Sequence, residues 1–337
     1  MLILGIESSC DDTSAAIVAD GYRVLANVVS SQIKAHEKYG GVVPEIASRQ
    51  HLTNILPVID QALEQAKLTI KDIDVLAVTN GPGLMGSLLV GVCSAKAIAY
   101  AADKPLIAVN HLEGHLAALQ LQEEPWLYPF IGLIVSGGHS SLYLVSGNSQ
   151  YRLLGRTRDD AVGEAFDKVA KILGLGYPGG PVIDKLSEKG IPDAVKFPRS
   201  FLEKDSYDFS FSGIKTAVWH YIKKQLRGKA ELDDREKADI ACGFQRAVVE
   251  VLVVKTVKAA LDLGIGRIAM SGGVACNRYL RQEMQRVADL SGLQLHYPKP
   301  EYCTDNAAMI AAAAYYRDRN GDRGGVFAID AIPYCPL

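Results

Sequence analysis

Three groups of residues have the types and spacing to do chemistry. Asp11 and Asp12 stand side by side in ESSCDDTS, a turn crowded with hydroxyls, where like charges repel and raise the proton affinity of one carboxylate. His111 and His115 in HLEGHLAAL are four residues apart on what reads as a helix, so their Cβ atoms stack roughly 5–6 Å apart on one face and suit a shared metal. Two ligands hold an ion weakly. The best third ligand is Asp305 in EYCTDNAAMIAAAA, which stands at the mouth of an apolar helix either as a ligand or as its N-cap. Three protein ligands leave coordination positions open for a reacting group. The third group is a set of turns, ESSCDDTS, TNGPGLMGS, VSGGHSS and MSGGVACN, in which glycine brings backbone N–H groups close enough to cradle an anion. Plainer readings stand beside each: two surface histidines, acids that bind Mg²⁺ or cap a hairpin, and glycines that only close tight connections.

The histidine pair is not the HExxH signature of a metalloprotease. There the Glu follows the first His directly, whereas Glu113 comes two residues after His111 and points away from the metal face, leaving a protease without its base.

The elements that must position these residues read as a duplicated α/β unit. LILGIESSCDDTSAAIV is strand, turn, strand, and PFIGLIVSGGHSSLYLV repeats that order. Each hairpin is followed by a long helical pattern (HLTNILPVIDQALEQAKL; ADIACGFQRAVVEVLVVKTVKAALDLG) and then by a buried strand, a Gly-rich turn and another helix. Helices alternating with buried strands predict two α/β domains facing one another, with the ligand in the cleft between them beyond the strand ends. The expected divisions are 1–108, then 109–305 carrying the metal and nucleotide loops, then a C-terminal helix over 306–325 returning to the first domain.

Composition narrows the partners. The chain has 337 residues, 48% of them apolar, enough for two cores. A net charge of −2 excludes nucleic-acid binding by bulk charge alone and asks for a local basic patch, the candidates being YIKKQLRGK at 221–229 and YYRDRNGDR at 315–323. Both also read as solvated helix or loop, the favoured reading for the second, which acids dilute. Six scattered cysteines without a CxxC pair indicate neither a disulfide framework nor a thiolate zinc site, and fit a reducing cytosol. No signal peptide is read at the N-terminus and no apolar stretch is expected to approach the roughly 18 residues that span a bilayer, so a soluble cytoplasmic protein is expected.

The motifs ESSCDDTS, HLEGHLAA, LIVSGGHSSL, GEAFDKVAKILGLGYPGGP, DFSFSGIKTA, MSGGVACNRYL and YCTDNAAMI, in order from Leu2 to about Tyr316, resemble the tRNA N6-adenosine threonylcarbamoyltransferase family. The resemblance implies two duplicated domains of the actin-like ATPase (ribonuclease H-like) fold around a nucleotide cleft. It implies transfer of the threonylcarbamoyl group from threonylcarbamoyl-AMP to N6 of adenosine 37 in tRNAs reading codons that start with A, giving t6A and AMP. It assigns His111, His115 and Asp305 to one divalent metal, Fe²⁺ or Zn²⁺, with Mg²⁺ a further option beside bound nucleotide. It places Ile134, Val135, Ser136, Gly137 and Gly138 against the acyl-adenylate, Asp167, Gly180 and Asp184 on its ribose and adenine side, and Asn277 at the edge of that pocket. Without the resemblance, Asp167 reads as a helix-surface acid and Asp184 as a turn cap or a partner of Lys185. Implied partners are tRNA, a TsaB-like inactive paralogue, a TsaE-like ATPase and a TsaC-like synthase that makes the donor. The helix GSLLVGVCSAKAIAYA could pack on the paralogue or on its own sheet.

Two positions depart from the family's common pattern. Asp12 stands where Glu is frequent, and Ser140 where Thr is. On this reading the metal polarises the threonylcarbamoyl group, while Asp11 or Asp12 takes the proton lost from the adenine amine. Two alternatives compete: a small-molecule kinase of the same architecture, which needs no HxxxH metal site, and a non-catalytic nucleotide-binding scaffold, in which site residues would be degraded.

Overall fold

Strand β1 (Leu2–Glu7) is apolar on both faces because both faces are covered. Leu4 and Ile6 face one helical layer and Ile3 the other, and all three are fully buried. The computed structural model describes residues 1–122, 126–203, 205–226, 231–322 and 325–337. After β1 the chain runs through β2 (Asp12–Ala19), β3 (Arg23–Ser31), α1 (Ile33–His36), α2 (Pro44–Ala66), β4 (Val75–Gly81), α3 (Met85–Ala102), β5 (Leu106–Asn110) and α4 (His111–Ala117). It continues with β6 (Phe130–Val135), β7 (Ser140–Gly147), β8 (Gln150–Arg156), α5 (Val162–Ile172), α6 (Gly179–Ser187), α7 (Ser212–Gln225) and α8 (Asp234–Asp262). The last elements are β9 (Arg267–Ser271), α9 (Arg278–Leu290), β10 (Gln294–His296), α10 (Pro300–Cys303) and α11 (Ala307–Arg319).

The described residues form two five-stranded sheets, ordered β3-β2-β1-β4-β5 and β8-β7-β6-β9-β10. β1 pairs antiparallel with β2 and parallel with β4, and β6 does the same with β7 and β9, so the second sheet repeats the topology of the first. The duplication read from the hairpins is present strand for strand.

Two compact units result: Met1–Tyr128 with Ser146–Tyr151 and Pro298–Leu337, and Pro129–Val145 with Arg152–Tyr297. They do not divide where expected. The stretch from 109 to 128 stays with the first unit, because β5 pairs parallel with β4 and runs straight into α4. The segment from 298 to 305 also belongs to the first unit, so His111, His115 and Asp305 all lie there rather than in the second.

In the first unit the sheet is layered between α11 on one face and α2 with α3 on the other. α11 reads AAMIAAAA, and eight successive residues from Ala307 to Ala314 are buried, since only small side chains let its backbone lie this close to β1. α3 corrects the expectation about apolar stretches: its 18 residues are long and apolar enough by length to cross a membrane, the one such helix among the described residues. Much of that apolarity is alanine and glycine, and Leu88, Gly91, Val92, Ala95 and Ala99 are spent on its own sheet, leaving Met85, Leu89 and Tyr100 exposed.

The second unit has one core in which β6 packs with α5, α8 and α9 around Phe166, Phe209, Phe211 and Phe244. Phe166 and Phe244 meet edge to face, centroids 5.1 Å apart. α8 starts in a capping box, Asp233 accepting from the Glu236 N–H at 2.8 Å and Glu236 from the Asp233 N–H at 3.0 Å.

Ala311 lies close against β1, its Cβ 3.1 Å from where a Cβ on Gly5 would stand. Ala311→Leu should destabilise the protein by about 1–3 kcal/mol through overpacking; urea unfolding that returns the parent midpoint would contradict this close docking.

Candidate functional site

β5 ends at Asn110, whose Oδ1 accepts from the Leu112 N–H at 2.9 Å and so starts α4 with His111 as its first residue. His115 follows one turn later, and the two rings lie 4.8 Å apart at 78°. The third residue arrives from the other end of the chain. Asn306, not Asp305, caps α11, accepting from the Met309 N–H at 3.1 Å. Asp305, released from the cap role, brings Oδ1 to 3.6 Å from His111 Nε2 and 3.3 Å from His115 Nε2. Tetrahedral coordination at 2.0–2.2 Å puts donor atoms roughly 3.3–3.5 Å apart; the two Asp305 distances are close to this, and all three donors lie within 4.8 Å of one another, near enough to share a divalent ion after small adjustments. His115 is fully buried: its Nδ1 has no hydrogen-bond partner, and its Nε2 meets only Asp305 Oδ1 at 3.3 Å, outside good hydrogen-bond geometry. A buried imidazole left so is costly, and a cation at the three donors removes the cost at Nε2.

Behind His111 stands a residue whose role its sequence neighbours do not reveal. Glu7, at the end of β1 and wholly buried, places Oε2 3.1 Å from His111 Nδ1, and Ser9 Oγ is also 3.1 Å from that nitrogen. Glu7 is fixed in turn by the Ser9 N–H at 2.5 Å and by Thr79 Oγ1 at 2.6 Å. A carboxylate on Nδ1 holds the proton there and turns Nε2 toward the metal position, while raising the basicity of the ring. Burial alone would lower the His111 pKa, but Asp305 and Glu7 outweigh it and push it up to about 9. His115 goes the other way: burial holds it below the usual imidazole range, a neutral ligand ready for use. Glu7 itself is drawn down by His111 against its own desolvation.

Asp11 and Asp12 belong to the same unit. Burial, followed by the charge of Asp305, pushes the Asp12 carboxyl up to about 7, and burial raises Asp11 too. Asp12 Oδ1 is buried without a hydrogen-bond partner. The turn is pinned by His51 of α2, whose Nδ1 lies 2.7 Å from Thr13 Oγ1 and whose Nε2 lies 3.0 Å from the Cys10 carbonyl, bracketing the two acids. Burial keeps His51 neutral, so Nε2–H donates to Cys10 while Nδ1 accepts from Thr13. The Cys10 thiol is pushed well up by burial and is no nucleophile.

Glu113 does turn away, as its position on the helix predicts. It is buried against Arg317, with Nη2 at 2.6 Å and Nε at 2.7 Å, and accepts from Ser149 Oγ at 3.1 Å.

The expected nucleotide residues all lie in the second unit. Ile134 and Val135 are fully buried in β6, so only their backbone could meet a ligand. Ser136 is tied to its own loop through the His139 N–H, while Gly137 and Gly138 are exposed, with open space beyond their Cα atoms. Gly272 in the last Gly-Gly turn has φ +96°, and a Cβ there would lie 2.3 Å from the Val135 carbonyl, which lets the turns after β6 and β9 meet. Asp167 Oδ1 accepts from the Gly179 N–H at 2.7 Å, next to the open Gly180. Asp184 pairs at 2.9 Å with Arg278 rather than Lys185. Asn277 caps α9 through the Leu280 N–H at 2.8 Å and donates to Gln245 at 2.8 Å.

Of the two basic runs, residues 227–229 and Arg323 lie outside the described residues. In the first, Lys223 sits 4.2 Å over the half-exposed Trp219 ring. In the second, Arg317 is committed to Glu113 and Asp322, and Arg319 to Tyr315, which is a structural use of charge.

The family profile described as tRNA N6-adenosine threonylcarbamoyltransferase matches residues 23–312. Curated relatives of that name include one from Symbiobacterium thermophilum, 55% identical over 332 residues (98% of this chain, 96% of the relative), and one from Geotalea uraniireducens, 53% identical over 337 residues (100% and 97%). Among solved structures, component A of (R)-2-hydroxyglutaryl-CoA dehydratase from Acidaminococcus fermentans superposes with TM-score 0.57 at 18% identity, covering 95% of this chain and 99% of that one. Full-length HypF in its phosphate- and nucleotide-bound form gives TM-score 0.62 at 15% identity, covering 94% and 55%. These neighbours establish the actin-like ATPase fold for this chain.

His111→Ala and His115→Ala should each lose bound divalent metal by elemental analysis of the purified protein. Because the metal-free His111 carries a proton on Nε2 below pH 9, metal uptake near pH 7.5 should release a proton, and affinity should fall as pH is lowered. Calorimetry in buffers of different ionisation enthalpy that detects no proton release would refute the protonated state of metal-free His111, whereas full metal occupancy in His111→Ala would refute it as a ligand.

Proposed function

The chain belongs to the tRNA N6-adenosine threonylcarbamoyltransferase family and is a tRNA-modifying transferase, and we propose that its donor is threonylcarbamoyl-AMP and its acceptor N6 of adenosine 37 in tRNAs reading ANN codons. The observation that carries the mechanism is the meeting, within one unit, of a three-donor metal position and a carboxylate held near neutral pKa. A divalent ion on His111, His115 and Asp305 supplies Lewis acidity toward a carbonyl.

The donor is a mixed anhydride already activated, so no covalent enzyme intermediate is required. The N6 amine attacks the carbamoyl carbon, the C–N bond forms, the bond from that carbon to the phosphate oxygen breaks, and AMP leaves. The adenine amine is a poor nucleophile because its lone pair is delocalised, and it gains from losing a proton as it attacks. Asp12 accepts that proton: its buried, unpartnered Oδ1 is the free acceptor, and a pKa raised toward 7 by burial makes it a better base than an exposed aspartate. Asp11, also raised, keeps its neighbour's proton affinity high. Glu7 and Ser9 orient His111, and His51 holds the turn.

Adenylate contacts are assigned to the backbone of Ser136, Gly137 and Gly138, with Asp167, Gly180, Asp184 and Asn277 completing them. The resemblance further supports assembly with a TsaB-like paralogue and a TsaE-like ATPase, donor supply by a TsaC-like synthase, and a cytoplasmic setting. The names of the relatives give the kinase alternative no support.

Asp12→Asn keeps the shape and removes the base. Single-turnover transfer should slow by roughly 10²–10⁴ while adenylate binding is retained. Parent activity should fall as pH drops through the Asp12 pKa, a limb absent from the variant. Transfer at the parent rate in Asp12→Asn would remove the base assignment.

A further inference from the structure

We propose that the C-terminal segment Asp330–Cys335 is a strap that fixes the metal-binding helix, so that metal affinity depends on residues far from any ligand in sequence. The proposal rests on the assignment of the metal to His111, His115 and Asp305.

Three features of the first unit carry it. The strap is anchored before it begins: Ile329 is buried in the same core as Leu4 and Ile6, and Phe327 packs on Tyr100 of α3 with centroids 5.5 Å apart. It then docks on the end of β4. The Ile332 N–H donates to the Asn80 carbonyl at 2.7 Å, Asn80 Nδ2 to the Asp330 carbonyl at 3.2 Å, and the Gly83 N–H to the Pro333 carbonyl at 3.2 Å. Its approach is so close that a Cβ on Gly81 would lie 2.0 Å from the Ile332 carbonyl oxygen. Finally, the Cys335 carbonyl accepts from Asn110 Nδ2 at 3.1 Å.

Asn110 joins the strap to the metal-binding helix. It ends β5, caps α4 through its oxygen, and is followed directly by His111, so both halves of its amide are spoken for: one by the helix, the other by the strap. A second contact of the strap, Asn80, follows Thr79, whose hydroxyl holds Glu7 against His111. One segment therefore braces the ligand from two sides, through the start of its helix and through the strand that carries the partner of its carboxylate. Metal ions demand donor placement within a few tenths of an ångström, and outer-shell supports are commonly worth tenfold or more in affinity. Asn110 and the strap are positioning elements; neither touches the metal position.

The test uses Zn²⁺ alone as probe, with chelator competition on metal-free protein. Ending the chain after Ile329 should weaken Zn²⁺ binding at least tenfold and speed its dissociation, with thermal unfolding still cooperative. In the full chain, Asn110→Ser keeps a capping oxygen but loses the Nδ2 donor, and should weaken binding in the same direction. Combining the two should cost little more than the truncation alone, because both break one linkage. Parent affinity in the truncated chain would overturn the strap, as would effects that simply add. Should the truncated chain fail to fold, parent affinity in Asn110→Ser would overturn it equally. A full-length His111→Ala protein that binds Zn²⁺ like the parent would instead sink the metal assignment on which the strap rests.

Discussion

A carboxylate buried beyond the reach of water sets the terms for the first unit. Glu7 is 0% exposed, and a charge in that setting costs several kcal/mol unless its oxygens are bonded. Its three partners come from three elements: Ser9 from the turn after β1, Thr79 from β4, and His111 from the start of α4. Loss of Ser9 or Thr79 removes one hydrogen bond from this anion, and loss of His111 removes the positive charge that offsets it. The fold is thereby obliged to bring β1, β4 and α4 together at Nδ1 of His111, which leaves Nε2 of the same ring facing Asp305. The placement of His111 thus follows from satisfying one buried charge, and Asp305 joins it from the C-terminal side because Asn306 takes the cap of α11.

The duplicated sheets show what duplication leaves free. Strand order and direction are the same in both units, yet the turn after β1 carries acids and the turn after β6 carries exposed glycines. Topology places a turn at the end of the equivalent strand; side chains decide what it does. In the first unit the turn is tied down by His51, which bonds it on either side of the two acids. In the second it is an open run of backbone, suited to approach by an anion. The unequal use of equal frames is also why net charge says little here: a chain at −2 concentrates its acids and its ligands locally.

Much of this was legible in the sequence. Both hairpins, the long helices and the HxxxH face follow from spacing of two and near four residues, which is local information. Asp305 was legible as a choice between ligand and cap, and the deciding fact, that Asn306 accepts the Met309 N–H, is one residue beyond what spacing can separate. Glu7 and His51 were not legible in their roles. Glu7 meets a partner 104 residues away and His51 one 41 residues away, and no periodicity reports such pairings. The division expected at 109 failed for the same reason: whether β5 and α4 close the first sheet or open the second depends on the parallel pairing of β5 with β4, a long-range contact invisible in the run of residues.

The shorter acid at position 12 makes sense against this frame. Asp12 is the first residue of β2 and lies opposite Ser31 of β3. Its backbone is held by pairing, and a slip of one residue would turn its side chain to the opposite face. A carboxylate so placed has few rotamers to choose from, and losing one methylene removes freedom along with reach. Where the substrate amine can be brought to a fixed acceptor, less freedom means less entropy lost on the way to the transition state. The burden then shifts from the acid to whatever fixes the turn. His51 is that element, and its neutrality follows from burial: protonated, it would lose the acceptor that Nδ1 offers Thr13 and add a positive charge beside the two acids, lowering the proton affinity on which the base role proposed for Asp12 rests. The reactivity assigned to Asp12 is therefore a property of the bracket around it as much as of the residue.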